Sequence, residues 1–147
     1  LYSSAASDVY KRQILQYASQ RGALSILCLE SIHGLSYSIK AAVNYLNTLE
    51  KPFRMIFMVA DQPYISMKTI EKLIHSTHTL ASCAYKDKVG NPTLFDSSYI
   101  PELLLLKEDQ GGRKVLNKHP DEVEYIQVEN IRELYDIDYQ EDLKQLQ

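Results

Sequence analysis

Residues 54–60 read Arg-Met-Ile-Phe-Met-Val-Ala and run straight into Asp61, Gln62 and Pro63. A nearly unbroken apolar stretch of this length, with no helical period and a proline turn behind it, predicts a strand covered on both faces by helices. The segments around it repeat that logic. Leu24–Leu29 (LSILCL) is a second short apolar run and reads as a buried strand, and Ser38–Leu49 sets Ile39, Ala42, Val43, Leu46 and Leu49 at helical spacing. Ser66 is a candidate N-cap for a helix carrying Ile70, Leu73 and Ile74 on one face. Ser82–Lys86 and Pro92–Phe95 predict two short strands about a turn at Lys88-Val89-Gly90-Asn91. Ser98–Leu106 predicts a leucine-rich helix with Pro101 in its first turn, and Gly111–His119 a further helix with two glycines at its mouth. Glu122–Val128 alternates as a strand with one exposed face, and Tyr139–Leu146 closes as a short helix. Strands alternating with helices, without repeats or linkers, specify one α/β domain.

Composition narrows the class. The chain has 147 residues, 45% hydrophobic and 24% charged, with a formal net charge of −3. That apolar share supports a core and excludes a disordered chain. No run approaches the roughly 18 apolar residues that cross a bilayer, so no membrane role is expected. Sixteen basic against nineteen acidic side chains argue against a nucleic-acid partner. Cys28 and Cys83 make neither a disulfide framework nor a zinc site, and both read as small buried hydrophobes in a cytoplasmic protein.

The start of the chain reads differently. Ser3–Gln13 (SSAASDVYKRQ) matches an in-frame translation of a transposon-type sequencing adapter, so residues 1–13 are expected to be foreign and 14–147 to carry the domain. The alternative is a natural polar helix ending near Gly22.

In open α/β sheets, ligands bind beyond the carboxyl ends of strands. Asp61, the first polar residue after the strongest strand, can there meet a hard cation such as Mg²⁺, or can simply end the strand. Asp136 and Asp138 point to one side if their segment is extended. Two such carboxylates repel unless a cation or donors neutralise them. Alternatively, Asp138 caps the last helix and Asp136 stays solvated. His75 and His78, three apart, have no third ligand nearby and read as surface residues.

The segments IHGLSYSIKAAV, VADQP, GNPTLF, EDQGGRKVL and LYDIDYQEDL occur in this order between Ser31 and Leu146. Together they resemble the MobA-like nucleotidyltransferases, most of all the molybdenum cofactor cytidylyltransferase branch. The resemblance implies a three-layer α/β/α sandwich, a Rossmann-like nucleotidyltransferase fold. It implies transfer of CMP from CTP to molybdopterin cofactor with release of pyrophosphate, and a molybdoenzyme or maturation protein as possible partner. It gives Asp61 and Asp138 the catalytic metal, Mg²⁺. Gly34, Ser36 and Ser38 would lie beside the nucleotide, Gly90, Asn91 and Pro92 in a turn near the acceptor, and Gly111, Gly112 and Arg113 on acceptor phosphate. Glycines let backbone N–H groups approach phosphate, and arginine grips it through two parallel hydrogen bonds.

Three departures qualify the resemblance. The family's opening strand and glycine-rich loop, of the type LAAGxSxRMGxxK, are absent, so this fragment is expected to bind CTP poorly and not to turn over. Cys28 and Leu29 stand where many relatives carry Asn-Pro, and Ala60 where glycine is usual. Other readings are a non-catalytic small-molecule-binding domain of the same fold, or a relative using GTP or a sugar-phosphate acceptor.

Overall fold

The computed structural model describes residues 4–137, with side chains from residue 12 onward. Its sheet is built outward from Arg54–Phe57 (β1), which pairs antiparallel with Lys88–Asp96 (β3), Met55 opposite Phe95. Leu80–Tyr85 (β2) pairs antiparallel with the other edge of β3 and parallel with Val123–Gln127 (β4). The order is β1-β3-β2-β4, with β3 running against the other three.

Helices cover both faces, as the period-two alternation of the strands requires. On one face Ile39 and Val43 of Leu35–Asn47 (α2), Ile100 and Leu103 of Ile100–Leu104 (α4), and Val115 and Leu116 of Arg113–Leu116 (α5) pack onto Met55, Leu80, Phe95 and Val123. On the other, Leu73 of Met67–His75 (α3) and Leu134 of a 3₁₀ turn at Ile131–Leu134 meet Ala81, Cys83, Leu94 and Ile126. The result is the expected three-layer α/β/α sandwich. A further helix (α1) spans Ser4–Gln20 and gives way to a turn in which Gly22 takes a φ of +75°. No helix among the described residues is long and apolar enough to cross a membrane.

Ser66 caps α3 as expected, its Oγ accepting the Thr69 N–H at 3.2 Å. Several other expectations need correction. Leu24–Leu29 is not a strand: its chain is irregular and leads into a 3₁₀ turn at Leu29–His33. Apolar residues supply a face, but a strand also needs a ladder for its N–H and C=O groups. No strand pairs with this run among the described residues, and Leu24 and Leu27 remain 65% and 79% exposed. Cys28 is consequently half-buried rather than buried, whereas Cys83 is enclosed, and burial pushes its thiol up to about 12, leaving it unreactive at neutral pH.

The strand expected over 54–60 stops at Phe57, and it is only partly covered, lying at the sheet edge among the described residues. The hairpin turn falls at Lys86–Asp87, with Lys86 at a φ of +53°, not at Lys88-Val89-Gly90-Asn91. Gly90-Asn91-Pro92 instead lies inside β3, where the register slips so that Cys83 faces Gly90 and Ser82 faces Thr93. Proline, lacking an N–H, fits such an irregularity without losing a ladder bond. The Asn91–Pro92 peptide is cis. The helices expected over 98–106 and 111–119 shrink to α4 and α5, and the one over Tyr139–Leu146 lies outside the described residues.

Candidate functional site

The loop leaving β1 carries Asp61, Gln62 and Pro63 before Ser66 opens α3. Asp61 and Pro63 are exposed, whereas Gln62 between them is buried at 8%. What buries it is the segment after β4. The Gln62 amide Nε2 donates to Asp136 Oδ1 at 2.7 Å, and the Ile137 N–H donates to the carbonyl of Asp61 at 2.8 Å. Two acid-bearing segments distant in sequence therefore meet at the end of β1. Asp138 itself lies outside the described residues.

The junction is fastened at its other end by Glu133, a carboxylate only 5% exposed. Its Oε2 accepts the Thr69 hydroxyl at 2.6 Å and the Ser66 N–H at 3.0 Å, and its Oε1 accepts the Glu129 N–H at 3.3 Å. Burial raises the pKa of this group, but the donors of Thr69 and Ser66 outweigh it and hold the carboxyl below its ordinary value. Sequence reasoning passed over Glu133, Gln62 and the pairing role of Asp136. Each signal is a partner more than sixty residues away, and no local pattern records it.

A cavity of about 320 Å³ opens between α2, the end of β1, β3 and the start of α5. Ser38, Asn91, Gly111, Gly112 and Arg113 line it, among the apolar side chains of Leu35, Ile39, Phe57 and Met58. A smaller cleft of about 100 Å³ adjoins it, sharing Asn91 and Arg113 and adding Gly90 and Ser82. Four segments distant in sequence thus supply one hollow. Its walls are mostly apolar, with the Arg113 guanidinium, the Asn91 carboxamide and the hydroxyls of Ser38 and Thr93 as the polar groups, a composition that accepts a flat organic body with an anionic end.

Not every candidate lines it. Pro92 is buried within β3. Gly34 and Ser36 serve packing: Gly34 takes a φ of +130°, and a Cβ there would lie 2.3 Å from the backbone carbon of Glu108. Ser36, wholly buried, donates its N–H to the Glu108 carbonyl at 2.9 Å, while its hydroxyl has no partner among the described residues. Together they clamp the start of α2 to the loop that leads into Gly111-Gly112-Arg113. Among the described residues no group of three His, Cys, Asp or Glu converges on one point. His75 and His78 are exposed, as expected; His78 contacts Glu124, and His75 a carbonyl of its own helix.

The sequence profile of the MobA-like NTP transferase domain matches residues 4–123. The chain belongs to the MobA-like NTP transferase family. The matched span begins inside the stretch that reads as an adapter. No curated protein matches this MobA-like chain. Among solved structures it is similar to Rv0371c from Mycobacterium tuberculosis H37Rv, with a TM-score of 0.65 and 24% identity over 76% of this chain and 58% of that one. It is also similar to the homologue of that protein from Mycobacterium sp. strain JC1, with a TM-score of 0.60 and 24% identity over 77% and 56% of the two chains. A third structure, the H37Rv protein in complex with manganese, gives 0.61 and 24% over 74% and 59%. At this identity the likeness concerns the fold, and the chain spans less than three-fifths of the length of each of these proteins.

Proposed function

We propose that this MobA-like chain carries the acceptor-side half of a nucleotidyltransferase site, one that transfers CMP from CTP to a molybdopterin-type cofactor. The observation that carries the reading is the junction at the end of β1, where the segment bearing Asp136 and Ile137 is held against Asp61. Family membership supports the reaction class.

A divalent cation, Mg²⁺ in this reading, fits the donors available. Such an ion is held by one or two carboxylates with substrate phosphates completing its shell, so a crowded cluster of protein ligands is not required. Asp61 and Asp138 would hold it, and a neighbouring fold solved with manganese is consistent with a cation of this class. When bound, the ion offsets charge on the α-phosphate. In the transfer, an acceptor phosphate oxygen bonds to the α-phosphorus of CTP, the bond to the bridging oxygen breaks, and pyrophosphate leaves.

The chain's own residues position rather than react. Arg113 faces the cavity and would pair with acceptor phosphate, with the Gly111 and Gly112 backbone beside it and Asn91 opposite. Phosphoryl transfer depends on this kind of placement and charge balance more than on covalent help. Gly34 and Ser36 set the loop that presents Arg113, and Ser38 lines the cavity wall.

The test is pyrophosphate release by the product of the complete reading frame that carries this chain, with Mg²⁺, a molybdopterin acceptor and either CTP or GTP. Release with CTP is the expected result. Release with GTP alone would reassign the nucleotide. Acceptor binding without release from either nucleotide would replace the enzyme by a binding domain of the same fold.

A further inference from the structure

We propose that Gln62 is a positioning residue, whose side-chain amide fixes the closing segment Tyr135–Ile137 against Asp61. Its consequence for a cation rests on the metal-site reading of Asp61. Gln62 is buried in a loop whose flanking residues, Asp61 and Pro63, are exposed, and its Nε2 reaches Asp136 Oδ1 at 2.7 Å. An ionised carboxylate only accepts, so the amide must present its N–H, and such a charge-assisted bond is roughly twice as strong as a neutral one. The next residue along, Ile137, donates its N–H to the Asp61 carbonyl at 2.8 Å. Adjacent residues on each side are thus joined by two bonds, a side-chain bond and a main-chain bond, which together set both position and orientation.

The upstream end of the same segment is pinned independently. Glu133 is held by Ser66 and Thr69, and the Lys88 ammonium donates to the Leu134 carbonyl at 3.4 Å. Between these fixed points and Ile137, the Gln62 amide is the side-chain tie described on the Asp61 side. It also donates to one lone pair of the Asp136 carboxylate, which stabilises its charged form. Losing it leaves Ile137 on a single main-chain bond and leaves the charge of Asp136 uncompensated.

The experiment compares the full chain with Gln62→Glu and with the double variant Gln62→Glu/Asp136→Asn, which reverses the direction of the bond without changing the net charge. Amide hydrogen exchange of Ile137 is followed by NMR, and Mn²⁺ affinity by electron paramagnetic resonance. Gln62→Glu is expected to speed Ile137 exchange about tenfold or more, the scale of a lost bond to a charged group, and to weaken Mn²⁺ binding similarly. The double variant is expected to restore both. Unchanged Ile137 exchange in Gln62→Glu overturns the latch. Exchange restored without restored Mn²⁺ affinity overturns the positioning role and makes Asp136 a ligand. A wild-type chain that binds no Mn²⁺ overturns the metal-site reading instead, and Ile137 exchange then decides the latch by itself.

Discussion

The backbone N–H of Ile137 donates to the backbone carbonyl of Asp61 at 2.8 Å, so the contact between these two segments does not depend on the Asp61 carboxylate. Asp61→Ala should therefore keep the junction and the fold while removing the charge. The expected outcome is a thermal melt within about 0.5 kcal/mol of wild type, as for an exposed substitution. Metal-dependent pyrophosphate release by the complete protein should fall about a hundredfold or more, the scale of one lost electrostatic contact at a transition state. Melting curves and turnover measured on the same preparation check both halves.

Glu133→Gln should destabilise the chain by about 1–3 kcal/mol, because the Ser66 N–H and the Thr69 hydroxyl would face a weaker acceptor that carries a donor of its own. The sign with pH follows from the lowered carboxyl pKa. The stability it contributes is present above the ordinary value of 4.5 and is lost as pH falls through the folded value. Urea titrations between neutral and acid pH should show an acid-labile limb in wild type that is flatter in the variant.

His119 lies between two carboxylates, Nε2 at 2.6 Å from Glu102 and Nδ1 at 3.0 Å from Glu122, so both ring nitrogens are best used when protonated. The hydrogen bond to Glu102 is the main cause of its raised pKa, opposed by burial and helped by Glu122. The stability linked to this proton is complete below the ordinary value of 6.5 and is lost as pH rises through the folded value. Thermal stability should therefore decline as pH rises above 6.5, and His119→Gln should remove that slope. A direct NMR titration of the ring gives the same answer independently.

Gly34→Ala should cost about 1–3 kcal/mol, since a side chain is strained at a φ of +130° and its Cβ would strike the Glu108 backbone at 2.3 Å. Relief would require the loop at Lys107–Gln110 to move, carrying Gly111–Arg113 with it. A loss of acceptor affinity alongside the lowered melting temperature is the expected signature, read by calorimetry.

Local chemistry was legible in the sequence wherever a feature needs only its chain neighbours. The cap at Ser66 is one case, because its acceptor and the Thr69 donor lie three residues apart. The apolar positions Ile39, Val43 and Leu73 are another, because helical period alone puts them on a buried face. Leu24–Leu29 failed because strand formation depends on a ladder partner that a short, mostly apolar run cannot announce. The turn expected at Lys88-Val89-Gly90-Asn91 failed because turn-forming residue types also suit a strand irregularity, and only the register with Ser82 and Cys83 separates the two.

The sequence by itself determined the alternation of strand and helix, the family, and the types of residue offered for phosphate and cation, because hydrophobic period and side-chain chemistry travel along the chain. Tertiary structure alone decided that Gln62 holds Asp136, that Glu133 caps the helix begun at Ser66, and that Ser38, Asn91 and Arg113 share one cavity. These are meetings between segments tens of residues apart. Their energies come from burial and hydrogen-bond direction, which exist only once the sheet has brought the ends of its strands together.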